Sequence, residues 1–188
     1  MQCSIEKQEL RKEMKKLRRQ LDKNEIKEKS AAVCGAFLRS GFFLNSNTVC
    51  VYMSAFKEVD TSAVLKACVF FGKKILVPVT DGSDIYTCLL NGKTTEGAFG
   101  ICEPEERMRQ DKHSADVFIV PALAFDRRGA RVGFGKGFYD RLLEGTKAVK
   151  IGFLYDFQLV DYISCKEHDI NMDYLITESR VIDCASEI

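Results

Sequence analysis

The sequence predicts an α/β protein of three layers, a mainly parallel sheet flanked by helices on both faces, built as a single domain over residues 1–188. Short apolar runs rich in β-branched residues alternate with stretches of helical periodicity, the pattern of β-α-β units. Hydrophobic residues make up 46% and charged residues 29% of the chain, a balance that fills one core and leaves an ordinary soluble surface. No repeat or low-complexity stretch divides the chain.

Leu10, Met14, Leu17 and Leu21 recur at helical spacing among Lys, Arg and Glu, so the chain opens on an amphipathic helix. Asp22 and Glu25 have the spacing of a capping box, and Ile26, Val33, Phe37 and Leu38 carry a second helix toward Gly41. Residues 48–53 then read as a strand, 61–71 as a helix with Val64, Leu65, Cys68 and Val69 inward, and 74–78 as a second strand. Further strands are expected at 85–90, 117–120, 149–154 and 174–176, and a helix at 136–143. Residues 91–115, with Gly92, Gly97, Gly100 and Pro104, read as a long connection bordering a site.

Lys and Arg total 28 against 27 acidic residues, which gives no field for nucleic acid or a membrane surface. The eight cysteines (Cys3, Cys34, Cys50, Cys68, Cys88, Cys102, Cys165 and Cys184) are scattered, so they are expected to be reduced core thiols. The charged N-terminal stretch has no apolar leader core, and no run approaches the roughly 18 apolar residues of a membrane span. A cytoplasmic monomer is the expectation. His113 and His168, 55 positions apart, are expected at the surface and build neither an HExxH helix nor a zinc finger.

The chemistry concentrates in the stretch after the strand at 117–120, where open parallel sheets collect ligands. Gly133, Gly135 and Gly137 alternate with Phe134 and Lys136, so bare backbone N–H groups can approach an anion. Arg127, Arg128, Arg131, Lys136 and Arg141 add five cations within fifteen residues, and a helix starting near Lys136 would point its positive end the same way. Asp140, beside such a polyanion site, suits a magnesium or magnesium-water ligand. The spacing fits neither a Walker loop nor a GxGxxG turn. By residue pattern alone, a glycine-rich turn with solvated arginines remains open beside the phosphate cradle. The same holds elsewhere: Lys7 and Arg11 share a helix face that suits either a phosphate chain or plain solvent. Glu58 suits either a pterin ring or the cap of the following helix, and Phe134, Phe138 and Tyr139 suit either ligand stacking or space-filling.

The string FDRRGARVGFGKGFYDR at residues 125–141 resembles the signature of the 5-formyltetrahydrofolate cyclo-ligase family, FDxxGxRLGxGxGxYD, with Val132 in place of Leu. Three further segments resemble family motifs in the same order: KQELR at 7–11 the N-terminal KxxLR, EVDT at 58–61 the E[VI]xT segment, and GICEP at 100–104 the GIxEP turn. Asp173 in NMDY at 171–174 is similar to a C-terminal aspartate near magnesium. Two departures stand out. Phe138 replaces the commoner tyrosine, and Val79 follows Pro78 where many members carry a polar residue.

The resemblance implies ATP as co-substrate, Mg2+, and cyclisation of 5-formyltetrahydrofolate to 5,10-methenyltetrahydrofolate through phosphorylation of the formyl oxygen. It assigns ATP to Lys7, Arg11, Arg131, Val132, Gly133, Phe134, Gly135, Lys136, Gly137, Phe138 and Tyr139. It assigns folate to Met53, Glu58, Phe134, Gly135, Lys136, Gly137 and Phe138, metal to Asp140 and Asp173, and catalysis to Lys136, Arg131 and Tyr139. The absence of a nucleophile paired with a base agrees with phosphoryl transfer, which asks for alignment and charge neutralisation. Two other classes remain: a sugar-phosphate isomerase or CoA-transferase-like enzyme, and a nucleotide- or RNA-binding module using the basic first helix.

Overall fold

A computed structural model of the chain describes residues 2–96 and 102–187. Gly97, Gly100 and Ile101 lie outside the described residues, as does the side chain of Cys3. The chain opens on α1 (Gln2–Gln20) and α2 (Lys23–Leu38), joined where Asp22 accepts from the N–H groups of Asn24 and Glu25 while Glu25 accepts from that of Asp22. This closed capping box is worth about 1 kcal/mol and stops α1 from running into α2. After the short α3 (Gly41–Leu44) come β1 (Thr48–Val51), α4 (Ser62–Phe70) and β2 (Lys74–Asp81), the expected β-α-β unit.

The second half supplies β3 (Asp84–Leu89), the hairpin β4 (Thr94–Glu96) with β5 (Cys102–Pro104), β6 (Arg109–Gln110), β7 (Val117–Pro121), β8 (Ala124–Asp126) and β9 (Arg131–Val132). It ends with α5 (Phe138–Leu143), β10 (Val149–Phe153), β11 (Leu159–Val160), β12 (Tyr174–Ile176) and β13 (Val181–Asp183). The main sheet has the order β13-β12-β10-β7-β1-β2-β3-β6. Its five central strands are parallel, β13 and β3 run antiparallel to them on either side, and β6 pairs antiparallel with β3 at the edge. A small sheet, β11-β8-β9, lies apart from it.

Alternation along the central strands divides the core. Val49, Val51, Ile75, Val77 and Ile119 face α2, α3 and α4, whereas Cys50, Leu76, Phe118 and Val120 share a cluster with Leu142 and Leu143 of α5 and Phe125 of β8. Both faces are covered, so the strands read as unbroken apolar runs. Met14 is buried in a third cluster with Leu123, Ala124 and Val132, and Leu10 and Leu17 pack against it, which seats α1 on the small sheet.

Several expectations are corrected. Val69 is 70% exposed, because one residue past buried Cys68 a helix has turned off its inner face. Helix α5 begins at Phe138 and not at Lys136, since Gly137 takes a left-handed backbone (φ 64°) that ends the loop. Cys102 and Cys165 are exposed, while Cys34, Cys50, Cys68, Cys88 and Cys184 are buried free thiols. The connection at 91–115 carries β4, β5 and β6 in its described part. Among the described residues no helix is long and apolar enough to cross a membrane.

Candidate active site

Strands β7, β1 and β2 are parallel neighbours, and the residues at or just beyond their carboxyl ends (Pro121; Tyr52 and Met53; Pro78 and Thr80) form the floor of a cleft of about 1210 Å³. Val79, alternating with these, is fully buried in the core, so the departure at this position falls outside the cleft and Thr80 supplies the polar group.

One wall is made by the glycine-rich segment. Asp126, wholly buried, accepts from the N–H groups of Arg128, Ala130 and Ile163 and from the Arg128 guanidinium at 2.6 Å, so this acid is consumed in folding the β8–β9 hairpin. Arg128 thereby faces Tyr162 and Ile163 and, like Arg127, does not line the cleft. From the end of β9 onward, residues 132–139 all reach the cleft, with Phe134, Gly135 and Lys136 exposed to it. Lys136 and Arg141 flank the Phe138 ring at 5.6 and 5.3 Å, and Arg141 donates to the carbonyls of Lys136 and Ser83.

Helix α1 crosses this wall. Arg11 Nε donates to the Gly133 carbonyl at 2.9 Å and its guanidinium lies against Gly135, while Lys7 Nζ meets Asp169 Oδ2 at 2.9 Å. Arg131 is buried. Its guanidinium binds Asp140 Oδ1 at 2.7 Å and donates to the Ile170 carbonyl, and Asp140 also accepts from the Ile170 N–H at 3.2 Å. Burial pulls the Arg131 guanidinium below its ordinary value, and the fields of Asp140 and Asp169 oppose that. Arg131 thus ties Asp140 to the 169–170 segment while itself lining the cleft.

The opposite end holds Glu58, whose side chain is 9% exposed. Burial pushes its carboxyl above the ordinary value, against the nearby Arg18 charge at 3.6 Å and the Ala55 N–H at 3.1 Å. Burial likewise pushes the hydroxyls of Tyr52 and Tyr139 far up, so both stay neutral donors.

A model of the family described as 5-formyltetrahydrofolate cyclo-ligase matches residues 3–178. The chain belongs to the 5-formyltetrahydrofolate cyclo-ligase family. The 5-formyltetrahydrofolate cyclo-ligase of Mycolicibacterium smegmatis is 36% identical over 154 residues, 76% of this chain and 79% of its own length. That of Escherichia coli K12 is 31% identical over 146 residues, 72% of this chain and 80% of its own length. The solution structure of Aquifex aeolicus 5,10-methenyltetrahydrofolate synthetase is similar with a TM-score of 0.85 at 34% identity, covering 95% of this chain and 92% of that one.

Of the residues the cyclo-ligase resemblance singles out, Lys7, Arg11, Met53, Glu58, Arg131, residues 132–139 and Asp140 converge on the cleft. Asp173 does not. It precedes β12, its carboxylate accepts from the Lys150 N–H at 2.7 Å and pairs with Lys150 Nζ at 2.9 Å, and so it lies at the amino end of the parallel strands, away from the cleft. The second carboxylate beside Asp140 is Asp169. His168 is exposed as expected, yet it stands on the rim next to it. Sequence reasoning also missed Arg18 and Phe56, which line the cleft without any local motif to announce them, and it gave no role to Glu103, which lines the cleft from within the GICEP segment.

Proposed function

We propose that the chain catalyses ATP-dependent cyclisation of 5-formyltetrahydrofolate to 5,10-methenyltetrahydrofolate. One arrangement carries the reading: a glycine-rich wall with cations and two carboxylates shares a single cleft with the largely covered Glu58. The first suits a triphosphate and the second suits the N–H groups of a pterin.

The formyl oxygen attacks the γ-phosphorus and ADP departs. N10 then adds to the formyl carbon, loses its proton, and phosphate leaves with the former formyl oxygen. Lys7, Arg11 and Lys136, with the N–H groups of residues 133–137, hold and neutralise the phosphates, while Arg131 fixes Asp140 behind them. Met53, Glu58, Phe134 and Phe138 receive the folate rings, and Tyr139, which lines the same cleft, supplies a neutral hydroxyl as a hydrogen-bond donor to the reacting groups.

Among the described residues no three His, Cys, Asp or Glu side chains form a metal cage. Asp140 and Asp169 do fit magnesium in its usual nucleotide-bound form, with one or two carboxylates completing a shell of phosphate oxygens and water. Bound there, the ion would offset phosphate charge.

The test is incubation of the purified protein with ATP, magnesium and 5-formyltetrahydrofolate, following the near-ultraviolet absorbance of the methenyl product and ADP release. No ATP-dependent signal would sink the reading. Turnover of a phosphosugar or acyl-CoA without ATP would favour the isomerase or transferase class instead.

A further inference from the structure

Arg18 is 3% exposed, at the carboxyl end of the same helix whose other end carries Lys7 and Arg11. Its Nη2 donates to the carbonyls of Phe56 at 2.7 Å and Ala55 at 3.4 Å and lies 3.6 Å from Glu58 Oε1. Its Nε and Nη1 are buried with no hydrogen-bond partner, an arrangement that does not favour the ligand-free fold.

The turn it grips is strained. Phe56 and Lys57, neither of them glycine, take consecutive left-handed conformations with φ of 50° and 58°. Lys57 Nζ ties the same turn to α1 through the carbonyls of Arg19 and Leu21. The turn sets the exposed Phe56 ring 6.3 Å from that of Phe134 across the cleft, and it ends on the Glu58 carboxylate.

We infer that Arg18 is a positioning residue for the folate end of the cleft, holding the turn of residues 55–58 so that Glu58 and Phe56 together receive the substrate's ring system. The inference rests on the cyclo-ligase reading and deepens it. Phe56 becomes a specificity contact opposite Phe134, and α1 becomes a brace spanning both substrates, with phosphate at Lys7 and Arg11 and folate at Arg18. Glu58 faces Arg18 from α1, Tyr52 beyond β1 and Tyr139 from α5, while neighbouring Lys57 turns its ammonium to the carbonyls of Arg19 and Leu21 and Tyr155 donates to the Glu58 backbone carbonyl. Because both cleft tyrosines stay neutral, Arg18 is the cation that opposes the effect of burial on the Glu58 carboxyl.

The experiment compares wild type, Arg18→Met, Arg18→Lys, Glu58→Gln and the Arg18→Met/Glu58→Gln double variant, following ADP release with each substrate varied from acid to neutral pH. Arg18→Met should raise the KM for 5-formyltetrahydrofolate about ten-fold or more with the KM for ATP nearly unchanged. The acidic limb of folate kcat/KM should move to higher pH, since removing the cation raises the Glu58 carboxyl further. The double variant should be no worse than either single one, because both remove the same contact. Arg18→Lys keeps the charge without spanning both carbonyls and carboxylate, so its acidic limb should stay near wild type while the folate KM rises severalfold. If Arg18→Met does not fold, Arg18→Lys carries the test through the same split. Equal loss for both substrates, additive effects in the double variant, or an unchanged folate KM in an active protein would overturn the role of Arg18. An inactive wild type would overturn the cyclo-ligase reading instead.

Discussion

Lys7 Nζ lies 2.9 Å from Asp169 Oδ2, joining the first helix to a loop 162 positions away. Burial alone would raise the Asp169 carboxyl, but the Lys166 N–H, Lys7 and His168 outweigh it and hold it below its ordinary value. A carboxyl depressed on folding stabilises the native state above its unfolded pKa of about 3.9, and that stabilisation disappears as pH falls through the lower folded value. Asp169→Asn should therefore be less stable than wild type at pH 7 by up to about 1 kcal/mol, since the pair keeps contact with solvent. The difference should close toward pH 3. Denaturant midpoints across this range check it, and a gap that persists in acid would assign the loss to packing.

Lys136 stands exposed in the loop between β9 and α5, where charge serves a ligand more than the fold. Lys136→Ala should lower kcat on the order of 10²-fold, as for removal of one preorganised donor, while Tm stays within about 2 °C. Steady-state kinetics beside a thermal melt decide the point. Full activity would remove Lys136 from the mechanism.

The parts of this molecule legible in the sequence are those with a local period or a local motif. Capping by Asp22 and Glu25, the α1 stripe and the central strands all announce themselves within one or two turns of chain. The short antiparallel edges and the β8–β9 hairpin do not, because two or three residues carry no period and are fixed by partners such as Asp126. The glycine wall was readable for the same reason that Asp169 was not. One is a contiguous pattern, whereas the other acquires its role from a lysine at the far end of the chain. Asp173 shows the converse: a carboxylate close in sequence to the site loop, but turned by the start of β12 onto Lys150.

Gly129 closes the turn of the β8–β9 hairpin with φ 83°, and a Cβ there would stand 2.2 Å from the Met172 carbonyl oxygen and 2.9 Å from its nitrogen. The Met172 N–H donates to the Gly129 carbonyl at 2.9 Å, so the hairpin and the segment entering β12 cannot part without losing that bond. Gly129→Ala combines a disfavoured backbone with a backbone clash and should cost at least about 3 kcal/mol. For a chain of this length that lowers Tm by about 6–12 °C. A calorimetric scan with an unchanged Tm would show that the turn relaxes at no expense.

Asp140 has two duties that one substitution separates. It balances the buried Arg131 guanidinium at 2.7 Å and accepts the Ile170 N–H, and its side chain keeps 27% exposure toward the cleft. Asp140→Asn keeps the shape but withdraws the charge, leaving Arg131 facing only the more distant Asp169. The native state should lose about 1–3 kcal/mol, less than for a fully buried broken pair because water still reaches the carboxylate. If Asp140 also completes a magnesium shell, the magnesium concentration giving half-maximal activity should rise about ten-fold or more, with Asp169→Asn shifting it in the same direction. Chelator-treated protein titrated with magnesium at saturating ATP measures this directly. A variant with lowered Tm but the wild-type magnesium curve would confine Asp140 to neutralising Arg131, and the metal would then rest on the phosphates and Asp169 alone.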